Sequence, residues 1–227
     1  MRKILYRFDA NNKIGFGHFT RCCQLAKEFK KKKIQNILYG KVENIDNLYL
    51  KRYFSKIINP KIFDETQDIF NTIRIYKRLK CDFLILDNIS LSDKKKKFFE
   101  NSNIKRFEFI KNISSNNLPT HGICSIPYKN VKKNFSKKIF VGKDYAVLRD
   151  QFYNKKKTKS KNYILITTGG GNDKGATISI LKKTVSLLGD TKIFLLIGHN
   201  NNLLKIKKLK SNNNLKKKIK LLIKKKN

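Results

Sequence analysis

The chain begins with a short apolar run, and apolar residues at helical spacing follow it. The segment Lys3–Phe8 is mostly apolar and predicts a β-strand. After a polar turn that contains glycine, apolar side chains recur at spacings of three and four residues, at Cys22, Leu25, Ala26 and Phe29. This spacing predicts an amphipathic helix. The order strand, glycine turn, helix is the opening unit of an α/β fold.

The same two patterns alternate further along the chain. Ile69, Ile73 and Tyr76 lie at helical spacing and predict a helix over residues 68–80, and residues 81–86 then form a nearly continuous apolar run. Such a run is typical of a parallel strand that is covered on both faces. Shorter runs predict further strands over residues 104–110, 122–126 and 138–141.

A polar, lysine-rich stretch without periodicity covers residues 153–161 and predicts a linker. A second unit follows it. Its expected elements are a strand over residues 163–168, a helix that ends near residue 188, strands over 192–197 and 219–223, and a helix over 202–210 between them. We therefore expect an α/β protein with two Rossmann-like domains that face a cleft, over residues 1–152 and 162–227.

The charge of the chain is extreme but is carried by one residue type. The formal net charge is +37 over 227 residues, with 45 lysines against eight arginines. Arginine is the residue preferred for bidentate contacts to phosphates and bases, so its scarcity argues against a specific nucleic-acid partner. Lysine, asparagine, isoleucine, phenylalanine and tyrosine share A/T-rich codons, and a biased genome explains the composition. The lysine runs should still attract anions, and they should attract an anionic membrane surface weakly.

The cysteines and the hydropathy of the chain indicate its cellular compartment. The four cysteines form no CxxC pair, and we expect reduced, mostly buried side chains and no metal site. The apolar run at the N-terminus is too short for a signal peptide, and no run reaches the roughly 18 residues that span a membrane. We expect a cytoplasmic monomer without a transmembrane segment.

Three segments carry candidate chemistry, each with a plainer alternative. Gly15, Gly17 and His18 lie where the first helix begins, so backbone N–H groups and a titratable ring could face an anionic ligand. The alternative is a solvated or capping histidine. Asp87 and Asn88 follow an apolar strand, at the edge where α/β sheets bind ligands, or they simply form a turn.

The triple glycine of the second unit, Gly169, Gly170 and Gly171, is the third segment. It could bind a pyrophosphate through its N–H groups at a helix N-terminus, or it could be only a tight turn between strand and helix.

The N-terminal residues match a known pattern. Arg7, Asp9, Ile14-Gly15, Gly17-His18, Arg21-Cys22 and Leu25-Ala26 together resemble RxDxxxxIGxGHxxRCxxLA. This pattern opens the UDP-2,4-diacetamido-2,4,6-trideoxy-β-L-altropyranose hydrolases, a family of pseudaminic acid biosynthesis. Three further stretches are similar to that family in the same order. They are Leu84-Ile85-Leu86-Asp87, the segment from Gly142 to Phe152 with Tyr145, and Gly169-Gly170-Gly171 with Asp173.

The resemblance implies a glycosyltransferase-B-like fold and a metal-independent hydrolysis that needs no cofactor. Water would break the anomeric C1–O bond of the UDP-sugar and release UDP, in the synthesis of surface polysaccharide or flagellin glycans. His18 would be the general base. Asp9, Gly15, Gly17, Arg21, Asp87, Asn88 and Tyr145 would contact the substrate, and Gly169, Gly170, Gly171 and Asp173 would bind the nucleotide phosphates.

The chain departs from the family at three places. Asn88-Ile89 stands where the family often has His-Tyr, and Phe107-Glu108-Phe109 stands where its next strand tends to end in paired aspartates. The family also continues well past Ile223, so we expect a C-terminally shortened relative with an incomplete second domain. The alternatives are a glycosyltransferase of the same fold, a truncated inactive relative, and a non-catalytic sugar-binding or partner subunit.

Overall fold

The computed structural model describes residues 1–61, 64–87, 91–110, 121–124, 138–153, 163–168, 175–187, 191–197, 206 and 219–223. These residues fall into two compact units. The first comprises Met1–Ala10 and Gly17–Asn154, and the second comprises Asn11–Phe16 and Lys155–Asn227. Each unit has its own parallel sheet.

The first unit is built on a seven-stranded parallel sheet. Its strands in chain order are β1 (Lys3–Phe8), β2 (Gln35–Tyr39), β3 (Lys56–Ile58), β4 (Phe83–Asp87), β5 (Arg106–Phe109), β6 (His121–Cys124) and β7 (Lys138–Val141). Its helices are α1 (Gly17–Lys31), α2 (Asn47–Lys51), α3 (Glu65–Arg78) and α4 (Asp93–Glu100). Two short 3-10 helices, Lys143–Tyr145 and Asp150–Phe152, follow β7.

The strand order in this sheet is β3-β2-β1-β4-β5-β6-β7. The chain therefore builds outward in one direction from β1 to β3 and in the other direction from β4. In open α/β sheets, ligands bind beyond the carboxyl ends of the strands at the point where the order reverses. Here that point lies between β1 and β4, where Phe8 is the register partner of Asp87.

Alternation along the strands separates the two faces of this sheet. Leu5, Leu84 and Leu86 join a core with residues of α3 and α4, among them Ile69 and Phe99. Side chains at the intervening positions point to the opposite face, because successive residues of a strand alternate. On that face Asn36 donates from its side-chain amide to Ala26 O of α1.

The second unit contains a three-stranded parallel sheet of order β10-β9-β8. Its elements are β8 (Tyr163–Thr167), α5 (Ala176–Leu187), β9 (Lys192–Ile197) and β10 (Ile219–Ile223). Buried side chains of the three strands and of α5 form one core together with Ile206; its members are Ile166, Leu181, Ile193, Leu195, Ile206 and Ile219. Tyr163 and Leu165 lie on the other face of β8 and are about half exposed.

The predicted α/β class is confirmed, and most predicted elements are present. Helix α3 begins earlier than predicted because Asp64 caps it by accepting a hydrogen bond from Gln67 N. The weakly patterned elements β2, β3, α2 and α4 were not predicted. Of the helix predicted over 202–210 only Ile206 lies within the described residues, and it is helical and buried. The linker predicted over 153–161 lies outside them apart from Tyr153, so the domain boundaries stay a prediction.

Candidate functional site

A group of interacting polar side chains lies where β1 and β4 end and α1 begins. Asp87 is the last residue of β4, and His18 is the second residue of α1. They are 69 positions apart in the sequence, yet His18 Nδ1 lies 2.6 Å from Asp87 Oδ1. Both residues are buried. The switch point of the sheet therefore carries a paired imidazole and carboxylate.

The carboxylate determines which ring nitrogen of His18 carries the proton. An unprotonated Nδ1 would place its lone pair against Asp87 Oδ1, which is repulsive. The tautomer with a proton on Nδ1 instead donates a hydrogen bond to that oxygen. In this tautomer Nε2 has a free lone pair and can accept a proton. The geometry is that of a carboxylate-oriented general base.

Arg21 is the second partner of Asp87. It lies one turn after His18 on α1, and its Nε and Nη2 donate to the two oxygens of Asp87. Arg21 Nη2 also lies 2.9 Å from His18 Nδ1. Both of these groups are donors when Nδ1 is protonated, so they share Asp87 Oδ1 as acceptor rather than bonding to each other.

These donors keep Asp87 ionised. Burial, the largest effect, works to raise the pKa of the Asp87 carboxyl, but the hydrogen bonds from His18 and Arg21 and the charge of Arg21 outweigh it, so that the pKa is lowered. Burial also works to lower the pKa of Arg21, and the hydrogen bond and charge of Asp87 outweigh it and raise that pKa. The pair is therefore a stable carboxylate and guanidinium.

Cys22 also faces this carboxylate. Its Sγ lies 3.7 Å from Asp87 Oδ2, and the side chain is fully buried. Burial first, and then the negative charge of Asp87, raise the pKa of the Cys22 thiol well above its ordinary value. Cys22 is therefore a neutral thiol that donates to Asp87. All four cysteines are free and buried, as the sequence predicts.

Asp9 lies in a different network on the opposite side of the sheet. Its Oδ2 accepts from Arg7 Nη2 at 2.8 Å, and its Oδ1 accepts from Lys41 N at 2.7 Å. The fully buried Arg7 also donates to both carboxylate oxygens of Asp68 in α3, each at 2.8 Å. Asp9 thus joins the end of β1 to the turn after β2, and its predicted contact with substrate stays a prediction.

The two glycines before His18 differ in conformation. Gly15 has a φ of 86°, in the left-handed region that favours glycine. Its N–H donates to Asn11 O at 2.8 Å, within the segment Asn11–Phe16. Gly17 has open space where a Cβ would be: apart from its chain neighbours and the backbone of α1, no atom of the described residues lies within 4 Å. Gly17 therefore leaves the backbone at the start of α1 accessible.

The remaining predicted site residues are not in this group or lie outside the described residues. Tyr145 is about half exposed in a 3-10 helix after β7, three strands from β4, and its ring packs against Phe140 with centroids 5.1 Å apart. The predictions for Asn88, Gly169, Gly170, Gly171 and Asp173 fall on residues that the structure does not describe.

Two partners in these networks were missed by the sequence reasoning. Asp68 neutralises Arg7, and the signal that could have found it is an arginine within an apolar strand, which requires a buried counter-ion. Phe109 lies against the guanidinium of Arg21, whose Cζ is 4.7 Å from the ring centroid. No local sequence feature predicts that contact, because it depends on the pairing of β4 with β5.

The described part of the chain contains neither a cluster of metal ligands nor a membrane-spanning helix. Within it, no group of three or more histidine, cysteine, aspartate or glutamate side chains is arranged to hold a metal ion. Within the same residues, no helix has the length and apolar character needed to cross a membrane.

The fold is of the glycosyltransferase-B type. Acinetobacter baumannii MurG superposes with a TM-score of 0.56 at 11% identity. The match covers 100% of this chain and 68% of the MurG chain. A glycosyltransferase from Rickettsia africae gives a TM-score of 0.58 at 16% identity, with 99% of this chain and 68% of the other covered. At these identities the likeness concerns the fold alone.

Sequence comparison finds distant relatives, and no family model matches the chain. An uncharacterised protein of Methanocaldococcus jannaschii, MJ1062, is 26% identical over an alignment of 218 positions, gaps included, that covers 86% of this chain and 42% of the relative. The UDP-2,4-diacetamido-2,4,6-trideoxy-beta-L-altropyranose hydrolase of Campylobacter jejuni is 27% identical over an alignment of 232 positions, gaps included, that covers 94% of this chain and 77% of the enzyme. The chain thus spans less than half of the first relative and about three quarters of the second.

Proposed function

We propose that the protein hydrolyses a UDP-linked 2,4-diacetamido-2,4,6-trideoxy sugar at the anomeric C1–O bond. The observation that carries this proposal is the pair formed by His18 and Asp87, with 2.6 Å between Nδ1 and the carboxylate oxygen. The pair lies at the switch point of the sheet in a fold of the glycosyltransferase-B type. The distant likeness to a hydrolase of that sugar nucleotide supports the choice of substrate.

In the proposed reaction, His18 Nε2 removes a proton from a water molecule. The water oxygen forms a bond to C1 of the sugar while the bond from C1 to the diphosphate oxygen breaks, and UDP leaves with the electron pair. Asp87 keeps the proton on Nδ1 and stabilises the imidazolium that forms on protonation of Nε2. Arg21 keeps Asp87 ionised throughout.

The other contacts with substrate are part of the same proposal. Gly15, Gly17 and Arg21 border His18 in the sequence and would approach the sugar together with Asp9, Asn88 and Tyr145. Backbone N–H groups of Gly169, Gly170 and Gly171, with Asp173, would bind the diphosphate and stabilise the charge that develops on it. We further propose that the enzyme is cytoplasmic, because its free thiols suit a reducing compartment. It would be a monomer and would act in the synthesis of pseudaminic acid.

Release of UDP in the absence of any acceptor tests this function. The wild-type chain should release UDP and free sugar in equal amounts from the UDP-2,4-diacetamido-trideoxyhexose. His18→Ala should lower kcat by about 100- to 10,000-fold, because it removes the general base. His121→Ala is the matched control, since His121 lies in β6 and its ring packs against Phe83 rather than Asp87.

Three outcomes would contradict the proposal. UDP release that requires an added glycan or lipid acceptor would indicate a glycosyltransferase. Full activity of the His18→Ala variant would exclude His18 as the base. Binding of UDP without turnover of the sugar nucleotide, in a folded protein, would favour a binding subunit.

A further inference from the structure

Arg21 is held from two directions. Its Nε and Nη2 atoms bond to Asp87, and its Cζ lies 4.7 Å above the centroid of the Phe109 ring. The arginine side chain is about one third exposed, and Phe109 is half-buried. A guanidinium over the face of an aromatic ring is attracted by the ring quadrupole. The ring therefore forms a platform on the side of Arg21 that Asp87 does not occupy.

The pairing of β4 with β5 places this ring. Ile85 is the register partner of Phe107, and Leu86 is the partner of Glu108, so Phe109 occupies the next position, beside Asp87. The alternate positions of β5 face α4 instead, because Glu108 accepts from Lys96 Nζ at 3.2 Å. Asp87 and Phe109 thus share the face of the sheet that α1 covers.

The ring of Phe109 is itself supported. Phe107, two residues earlier on the same face of β5, packs edge-to-face against it, with centroids 5.8 Å apart and an interplanar angle of 88°. Both partners of Arg21 therefore belong to the sheet: Phe109 is supported by its neighbour in β5, and Asp87 lies in β4. Arg21 is a long side chain on the helix, so fixing its guanidinium costs side-chain entropy, which the contacts with Asp87 and Phe109 offset.

The position of Arg21 bears directly on His18. Arg21 Nη2 and His18 Nδ1 are 2.9 Å apart and both donate to the same oxygen of Asp87. A shift of the guanidinium would change how that oxygen is shared, and with it the preference of His18 for the tautomer with Nε2 unprotonated.

We infer that Phe109 is a positioning residue of the proposed hydrolysis, acting through Arg21 and Asp87 on His18. This inference rests on the proposed function for its catalytic consequence, but its structural content is independent of activity. Phe109 does not touch the reacting atoms. Its ring fixes the guanidinium, the guanidinium orients the carboxylate, and the carboxylate holds the imidazole proton on Nδ1.

The test compares Phe109→Leu, which removes the ring but keeps an apolar side chain, with Phe109→Tyr, which keeps the ring face. The control is Phe83→Leu, because Phe83 is another half-buried strand phenylalanine whose ring packs against His121. The first readout is the ¹⁵N NMR spectrum of the imidazoles at neutral pH, with His18 assigned by its loss in His18→Ala. The second is kcat and KM for UDP release.

We expect Phe109→Leu to lower the fraction of His18 with the proton on Nδ1 and to lower kcat by about 5- to 30-fold, with KM nearly unchanged. Phe109→Tyr should restore both, and Phe83→Leu should change neither. A wild-type His18 spectrum in Phe109→Leu would overturn the inference, and so would equal losses in Phe109→Leu and Phe83→Leu. If wild-type protein releases no UDP, the proposed function fails, and the NMR comparison still decides the role of Phe109.

Discussion

At the scale of single residues, the candidate site depends on one carboxylate with several donors. Asp87 accepts from His18, Arg21 and Cys22, and it is buried at the end of β4. A buried carboxylate without these donors would take up a proton, because desolvation disfavours its charged form. The donors that the fold supplies therefore offset the desolvation of Asp87, and its lowered pKa links the stability of the protein to pH.

Replacement of Asp87 should change stability in a pH-dependent way. The pKa of Asp87 is lower in the folded protein than its ordinary 3.8, so the carboxylate stabilises the fold above that pH, and this stabilisation is lost as the pH falls through the lowered pKa. At pH 7 we expect Asp87→Asn to lower the free energy of unfolding by about 2–4 kcal/mol. Urea unfolding curves recorded between about pH 2.5 and pH 7, roughly every half pH unit, measure the difference in the free energy of unfolding.

The difference between wild type and Asp87→Asn should be constant near neutral pH and should shrink on acidification below about pH 4. Asp82→Asn is the control, because Asp82 is an exposed aspartate that accepts one backbone hydrogen bond, from Lys3 N. A difference that does not change over the whole range would mean that Asp87 gains no stabilisation from being ionised in the fold.

At the scale of elements, the ends of β1 and β2 are packed too closely for a side chain. A Cβ on Gly40 would lie 1.8 Å from Phe8 O, which no local adjustment of a flexible group can relieve. Gly40 N also donates to Ile58 O at 3.1 Å, so the residue joins the turn after β2 to β3. The close approach involves Phe8, the last residue of β1, which pairs with Asp87 at the switch point.

Alanine substitutions at Gly40 and Gly17 should therefore affect stability differently. Gly40→Ala should lower the free energy of unfolding by about 1–3 kcal/mol, because the methyl group forces β1 and β2 apart. Gly17→Ala should leave stability unchanged or raise it by up to about 1 kcal/mol, because the site is open and alanine favours helix. Urea unfolding of both variants measures these changes.

The same pair of variants separates stability from function. If substrate approaches the backbone at Gly17, Gly17→Ala should reduce UDP release by about 10-fold or more while the protein remains as stable as wild type. A Gly40→Ala variant as stable as wild type would contradict the packing argument, and a fully active Gly17→Ala variant would contradict a close approach of substrate there.

At the scale of the whole molecule, the net charge of +37 dominates long-range interactions. We predict that the protein binds vesicles that contain anionic lipid, and that this binding falls at least about 10-fold between roughly 20 mM and 500 mM salt as the charges are screened. Exposed Phe70 and Phe98, with ring centroids 5.6 Å apart beside the lysines of α4, offer an apolar contact. Co-sedimentation measures the binding, with neutral vesicles as the control.

Binding that is equally strong on neutral vesicles, or that does not respond to salt, would contradict an electrostatic origin. Sequence-selective binding of DNA or RNA at physiological salt would contradict the argument from arginine scarcity.

The sequence by itself determined the α/β class and indicated both segments of the candidate site, although not their contact. Local patterns suffice for this, because a parallel strand covered on both faces must be apolar throughout and a covering helix must carry an apolar stripe. The segment Gly15–His18 was equally visible, since the spacing of its glycines and the helix that follows are local features. The apolar run before Asp87 likewise indicated the carboxyl end of a strand.

Only the tertiary structure decided which side chains meet. His18 and Asp87 are 69 residues apart, and their contact depends on the register of β1 with β4 and on the position of α1 above them. A shift of one residue in that register would turn Asp87 to the other face of the sheet. The same dependence hid the contact of Arg21 with Phe109, because neither residue carries a local signal of its partner. Pairing across strands is a property of the folded sheet, and that is why the networks around the site could not be obtained from the sequence.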